Sequence, residues 1–198
     1  MEEIFPNAQS ELVNWDTPFQ FLICIMLSAQ TTDKLVNKVT DKLFKKYNKP
    51  EDFANLDVSE IEKYISSVNY YKNKAKYIKE MSIQVLNEYN GEVPKEISKV
   101  IGLRGVGYKT ANVFLNDLYQ SNQGIAVDVH VARVSQRLGL SKETEPTKIA
   151  KDLEKIYKQE DWWKINRYFV LYGRYICKAN MKKSECVFKD ICSYCKDR

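Results

Sequence analysis

The chain has 198 residues, of which 44% are hydrophobic and 29% charged, and this composition is typical of a compact globular protein. Lys and Arg outnumber Asp and Glu by 31 to 26, and the net charge of +5 permits a polyanionic partner without requiring one. No stretch approaches the roughly 20 consecutive apolar residues that span a bilayer, and the N-terminus opens with the acids Glu2 and Glu3. We therefore expect neither secretion nor membrane insertion. The clustering of the cysteines, described below, predicts a reducing intracellular compartment.

Helical periodicity runs through most of the sequence. Only seven glycines and five prolines occur, and no stretch shows the alternation that is typical of strands. Apolar residues recur at helical spacing in Pro18–Met26, Thr32–Tyr47, Val58–Val68, Lys74–Tyr89, Ile97–Leu103 and Lys148–Lys158. Asp57 is a candidate N-cap with Glu60 following it, and Asn90-Gly91 and Gly139 are candidate helix ends. The sequence therefore predicts an all-α fold.

A glycine pair separates two helical patterns in the run IGLRGVGYKTA, which extends from Ile101 to Ala111. Gly105 and Gly107 predict a tight turn whose backbone amides are not covered by side chains. Amides at a helix N-terminus bind phosphate oxygens readily, although helix-to-helix turns also use glycine for steric reasons alone. Lys109 lies just inside the new helix, where it is either a solvated lysine or an amine nucleophile capable of Schiff-base chemistry.

An acid and the single histidine of the chain lie in the apolar run GIAVDVHVAR, from Gly124 to Arg133. Asp128 is either the N-cap of the helix that follows or a carboxylate that assists an amine nucleophile. His130 is by default a hydrogen-bonded structural residue. Because no other histidine is present, the sequence argues against histidine-rich zinc chemistry and a histidine-based triad.

Four of the five cysteines crowd into the C-terminal segment, at Cys177, Cys186, Cys192 and Cys195, while Cys24 stands alone in an apolar run. A disulfide framework would normally spread its cysteines along a secreted chain. The terminal group therefore indicates a metal site.

Several motifs follow in the order and spacing of endonuclease III. They are LSAQTTD from Leu27, GEVP from Gly91, GVGYKTANV from Gly105, AVDVH from Ala126 and LYGRYIC from Leu171. The chain is identified as a member of this family, within the helix-hairpin-helix superfamily of DNA glycosylases. The resemblance implies a two-lobed all-α fold, with a helical barrel domain at 12–122 and a second helical domain, carrying the cysteine cluster, formed by 1–11 and 123–198.

The resemblance also implies base-excision repair of double-stranded DNA by a monomeric, cytoplasmic, nucleoid-associated enzyme. Such a bifunctional glycosylase and AP lyase removes oxidised pyrimidines and cleaves the abasic site by β-elimination. Lys109 occupies the place of the lysine that attacks the sugar C1′, and Asp128 that of the carboxylate proposed to help deprotonate it. A glycosylase for another lesion or mismatch, and a non-catalytic DNA-binding module, are the alternatives.

DNA contacts follow from the same resemblance. Gln30 matches the residue that fills the gap left by a flipped nucleotide. Tyr70 lies in the loop of a second wedge, where relatives commonly carry leucine, and Asn69 there replaces a glycine. The further expected contacts are Leu103, Arg104, Gly105, Val106, Gly107 and His130, with Arg104 standing where proline is usual. Some of the nearby lysines, Lys72, Lys74, Lys76 and Lys79, are also expected at the DNA surface.

The cysteine spacing departs from the family. Relatives with an iron–sulfur cluster use C-x6-C-x2-C-x5-C, whereas this chain has C-x8-C-x5-C-x2-C. The resemblance implies a structural [4Fe-4S] cluster on Cys177, Cys186, Cys192 and Cys195, with Cys195 replacing the ligand missing near Lys183. Tetrahedral zinc on the same thiolates and unligated thiols are the alternatives.

Overall fold

The computed structural model describes residues 1–196, and every regular element within that range is helical. The helices are α1 (Pro18–Ser28), α2 (Asp33–Phe44), α3 (Pro50–Asn55), α4 (Val58–Ile65), α5 (Tyr71–Tyr89), α6 (Ile97–Ile101), α7 (Tyr108–Tyr119), α8 (Val129–Leu138), α9 (Pro146–Ile156), α10 (Trp162–Tyr175) and α11 (Ser193–Lys196). Short 3₁₀ turns lie at Gln159–Asp161 and Lys183–Glu185. The predicted all-α fold is confirmed.

The chain divides into two compact units. The hairpin unit is Ser10–Leu118, and the cysteine unit combines Met1–Gln9 with the chain from Tyr119 onward. Among the described residues, no helix is both long and apolar enough to cross a membrane.

Helix α1 is the centre of the hairpin unit. All side chains from Phe19 to Leu27 are buried, and a helix that is apolar on every face has to be surrounded by other elements. Helices α2 and α5 pack against it, and α3 and α4 pack against α5. Thr17 begins α1 by accepting a hydrogen bond from the amide of Gln20 at 3.3 Å, and Pro18 occupies the first helical position, where its missing N–H costs nothing.

The cysteine unit is built on α8 and α10, with α9 and α11 packed against α8. Its core contains Val131, Val134, Phe169 and Tyr172 together with three cysteines. Gly173 allows the two main helices to approach closely, because a Cβ there would lie 2.9 Å from the Cβ of His130.

The two predicted C-terminal helix ends are confirmed, and the predicted N-cap is confirmed in position only. Asn90 and Gly139 end α5 and α8 in the left-handed conformation, at φ 52° and 78°. Asp57 occupies the N-cap position of α4, but its side chain makes no capping hydrogen bond.

Candidate active site

The turn between α6 and α7 requires glycine at only one of its two glycine positions. Gly105 has φ +77°, and a Cβ there would lie 2.6 Å from the Cβ of Tyr77 on α5. Gly107 lies outside the left-handed region, and a Cβ built there would meet nothing within 4 Å. Leu103 and Val106 bury their side chains in the unit. Their amides donate within the protein as well, that of Leu103 to the carbonyl of Val100 at 3.2 Å and that of Val106 to the carbonyl of Leu103 at 3.1 Å.

Two side chains of helix α5 form hydrogen bonds to this turn. The Gln84 side chain donates to the carbonyl of Gly102 at 3.1 Å and accepts from the amide of Arg104 at 3.1 Å. The Arg104 guanidinium Nε donates to Glu80 at 3.2 Å. In this structure the arginine thus pairs with a carboxylate on α5, and its side chain remains largely exposed.

Lys109 is the second residue of α7 and is exposed. The first N–H groups of an α-helix have no partner within the helix. The lysine amine and these amides therefore belong to the same helical turn, directly after Gly107.

The two predicted wedge residues share an unusual backbone conformation. Gln30 and Tyr70 have φ angles of 56° and 58°, in the left-handed region that residues other than glycine rarely occupy. Both are exposed, Tyr70 by 63%. Each one lies beside a helix end, after α1 in one case and before α5 in the other.

Of the four nearby lysines, some of which were expected at the DNA surface, one is buried and another is half-buried. Lys74 is only 7% exposed, and its ammonium donates to the carbonyls of Leu27 and Ala29 at 2.8 and 2.6 Å. Burial lowers the pKa of Lys74 from 10.5 to about 8. Lys79 is half-buried and donates to the carbonyl of Leu56 at 2.7 Å. Their partners are distant in sequence, so the local pattern carried no signal for either role.

Asp128 caps α8. Its Oδ1 accepts hydrogen bonds from the amides of His130 and Val131, both at 2.8 Å. The structural role considered from sequence is thus present, and the carboxylate is half-buried in a fixed orientation.

His130 belongs to a polar network between α8 and the end of α10. Its Nδ1 lies 3.1 Å from Nη2 of Arg133, and that guanidinium also donates to the carbonyls of Gly173 at 2.6 Å and Cys177 at 2.9 Å. The imidazole is therefore hydrogen-bonded within its own unit. Sequence reasoning missed Arg133, whose partners lie some forty residues away.

Three of the predicted metal ligands meet in space. The sulfur atoms of Cys186, Cys192 and Cys195 all lie within 4.8 Å of one another. Cys177 lies outside this trio but is buried in the same core. The described cysteines form no disulfide, and the phenol oxygen of Tyr172 lies 3.6 Å from the sulfur of Cys186. A buried group of free thiols is compatible with a cluster such as [4Fe-4S].

Arg137 connects the cysteine segment, which extends from Cys177 to Cys195, to α8. Its guanidinium donates to the carbonyls of Lys178 and Ala179 at 2.7 and 2.8 Å, and to the sulfur of Cys177 at 3.4 Å. It also lies 4.4 Å from the ring centroid of Tyr194. One side chain therefore holds both ends of the cysteine segment.

Comparison with known proteins agrees with this architecture. Residues 23–159 match the model of the HhH-GPD superfamily of base excision DNA repair proteins. Endonuclease III of Bacillus subtilis is 40% identical over 96% of this chain and 87% of its own length, and that of Synechocystis is 39% identical over 97% and 88%. A trapped endonuclease III–DNA covalent intermediate superposes with a TM-score of 0.92 at 40% identity, covering 98% of this chain and 92% of that one.

A helix-hairpin-helix fold with a lysine behind the glycine turn defines a class of base-excision DNA glycosylases. Within that class, the chain belongs to the endonuclease III family. The family, the fold and the repair function predicted from sequence are thereby confirmed. The chain is a DNA glycosylase and AP lyase, and its partner is DNA.

Proposed function

We propose that this protein removes oxidised pyrimidines from duplex DNA and then cleaves the abasic strand, with Lys109 as the nucleophile. The observation that carries the proposal is the position of the Lys109 amine, exposed in the first turn of α7 immediately behind the glycine turn. Phosphate bound by the turn would hold the sugar of a flipped nucleotide beside this amine.

The reaction starts at the sugar. The neutral amine of Lys109 forms a bond to C1′ while the glycosidic bond breaks, and the base leaves with its electron pair and takes up a proton. Ring opening produces an imine between Lys109 and C1′. Loss of a proton from C2′ then expels the 3′ phosphate, and hydrolysis of the imine releases the enzyme.

Asp128 assists both stages in this proposal. A carboxylate accepts the proton that the amine must lose, and it stabilises the positive charge that develops on the sugar. Two backbone hydrogen bonds to Oδ1 fix its orientation, so Oδ2 is assigned the proton transfer. The same cap that begins α8 thus also holds the proposed catalytic carboxylate in a fixed orientation.

The proposed DNA contacts come mainly from the hairpin unit, and His130 of the cysteine unit is added to them. Gly107 has no steric or conformational reason within the protein to be glycine, so a close approach of the DNA backbone accounts for it. We assign phosphate binding to the amides of Gly105 and Gly107, because those of Leu103, Arg104 and Val106 donate within the protein, to Val100, Gln84 and Leu103. Gln30 fills the gap in the stack, and Tyr70 wedges the opposite strand. Arg104 and His130 complete the proposed contacts.

The four C-terminal cysteines, Cys177, Cys186, Cys192 and Cys195, would hold a [4Fe-4S] cluster. The trio of sulfurs within 4.8 Å and the buried Cys177 provide the four thiolates that such a cluster needs. The cluster would supply rigidity rather than chemistry in the excision reaction. Zinc is the alternative occupant, because it also takes four thiolates.

Borohydride trapping tests the proposal. We expect the wild-type protein to form a covalent adduct with duplexes that contain thymine glycol or an abasic site, and Lys109→Ala to form neither, since no imine is available for reduction. An adduct on the abasic duplex alone would redirect the search to another lesion. Equal trapping by Lys109→Ala would refute the lysine mechanism.

A further inference from the structure

The loops that carry Gln30 and Tyr70 are bonded to each other. The amide nitrogen of the Asn69 side chain donates to the backbone carbonyl of Gln30 at 2.5 Å. Lys74 reaches from the first turn of α5 to the carbonyls of Leu27 and Ala29 at 2.8 and 2.6 Å. Three backbone carbonyls around the end of α1, those of Leu27, Ala29 and Gln30, therefore accept from two side chains of the neighbouring segment.

Lys74 connects to both loops at once. Its backbone amide donates to the carbonyl of Tyr70 at 3.1 Å and so closes the first turn of α5. Its ammonium binds the end of α1, where the last carbonyls of a helix have no intrahelical partner and a positive charge is favoured. With 7% exposure, this ammonium is positioned to hold protein carbonyls rather than solvent or phosphate.

These bonds account for the backbone strain. A left-handed conformation is strained for a residue other than glycine, and it persists only where the surroundings impose it. Gln30 and Tyr70 both have it, at φ 56° and 58°. The contacts of Asn69 and Lys74 lie immediately beside these two residues and hold both strained turns in one arrangement.

We propose that Asn69 and Lys74 are positioning residues that join the Gln30 loop and the Tyr70 loop into one rigid wedge. This inference rests on the proposed function, in which the two loops act on opposite strands of the same duplex. A preformed wedge does not have to order two loops separately when it enters the DNA. The bonds would then accelerate nucleotide flipping without touching the DNA themselves.

Asn69→Ala is the first test because Asn69 is exposed and its loss should not disturb the core. Single-turnover excision of thymine glycol from a duplex should slow about fivefold, the value of one hydrogen bond. Borohydride trapping on a single-stranded abasic oligonucleotide should be unchanged, since a single strand needs no wedge. Ser67→Ala, an exposed substitution in the same loop, is the matched control and should match wild type in both assays.

A double-mutant cycle tests whether Asn69 affects the excision rate through the side chain of Gln30. Asn69 bonds to the backbone of Gln30, so Gln30→Ala keeps that bond while removing the side chain that it positions. In the Gln30→Ala background, Asn69→Ala should therefore slow duplex excision less than about twofold. Lys74→Met should slow duplex excision more than Asn69→Ala does, because it removes two charge-assisted bonds.

Two results would overturn the coupling while the proposed function stands. One is an unaltered duplex rate in Asn69→Ala, and the other is an equal loss in the wild-type and Gln30→Ala backgrounds or on single-stranded DNA. A wild-type protein that forms no adduct on any substrate would instead refute the proposed function and the coupling with it.

Discussion

The two units are stabilised by different means. In the hairpin unit, the apolar helix α1 is surrounded on all faces. The ring of Phe21 on this helix packs against that of Trp15, with 4.6 Å between the ring centroids. In the cysteine unit, the segment after α10 is held by the guanidinium groups of Arg133 and Arg137 and by buried thiols. The hairpin unit is thus expected to depend on apolar burial, and the cysteine segment on polar bonds and on the proposed metal cluster.

Removal of a metal ligand should give the largest effect. Cys195→Ser is expected to lose most of the bound metal and to unfold the cysteine segment, because a ligand-held site folds only with its ligand. Metal analysis and hydrogen exchange resolved by peptide measure both. Cys24→Ala is the control, since Cys24 is buried in α1 and burial raises the pKa of its thiol to about 12. It should lower stability modestly and leave the metal content intact; full metal retention by Cys195→Ser would contradict the ligand assignment.

Phe21→Ala should destabilise the hairpin unit by about 3–5 kcal/mol through the cavity it leaves. Phe21 is fully buried and contacts Trp15 and Phe114. Hydrogen exchange should accelerate in α1 and α5 while metal content stays unchanged. Equal acceleration in α8 and α10 would show that the two units do not have separate sources of stability. Phe21→Leu, which keeps most of the volume, is the milder control.

Arg137→Ala should cost the cysteine segment about 2–3 kcal/mol, because two backbone carbonyls lose a charged donor. Exchange protection between Cys177 and Cys192 should fall, and metal release should accelerate. Lys155→Ala removes a cation of the same unit whose side chain is 77% exposed, and it should change stability by no more than about 0.5 kcal/mol. Equal stability and equal metal release in the two variants would show that Arg137 does not stabilise the cysteine segment.

Substitution of the two hairpin glycines should have different effects, one on the stability of the hairpin unit and the other on DNA binding. Gly105→Ala should destabilise the hairpin unit by roughly 1–3 kcal/mol, because its φ is positive and its Cβ would overlap Tyr77. Gly107→Ala should leave unfolding unchanged but weaken binding to a duplex with a tetrahydrofuran abasic analogue, measured by fluorescence anisotropy. Wild-type affinity in Gly107→Ala would contradict the close approach of DNA to this residue.

The pH dependence of stability should carry a contribution from Lys74. Its pKa is lowered from 10.5 to about 8 in the folded protein, so between these values the unfolded chain holds a proton that the folded chain has lost. Stability should therefore rise with pH across this window, by at most ~1.4 kcal/mol per unit. Urea unfolding across the window should show this rise in wild type and its absence in Lys74→Met; identical slopes would contradict it.

Local chemistry explains which features could be predicted from the sequence. The hairpin turn, the Asp128 cap and the ends of α5 and α8 each depend on a few adjacent residues, and these patterns were readable. Helix α10 is not among the helical segments predicted from sequence. Its interior holds Gly173, a poor helix former, which the fold uses for close contact with α8. The buried role of Lys74 depends on carbonyls 45 and 47 residues away, which no local pattern could show.

The catalytic assignment rests on one amine, so the most direct test identifies the atom that bears the DNA. The wild-type adduct formed with an abasic duplex and borohydride would be digested and its peptides analysed by mass spectrometry. We expect the sugar remnant to be attached to Lys109, in the first turn of α7. A remnant on any other lysine, or on the N-terminal amine, would contradict it.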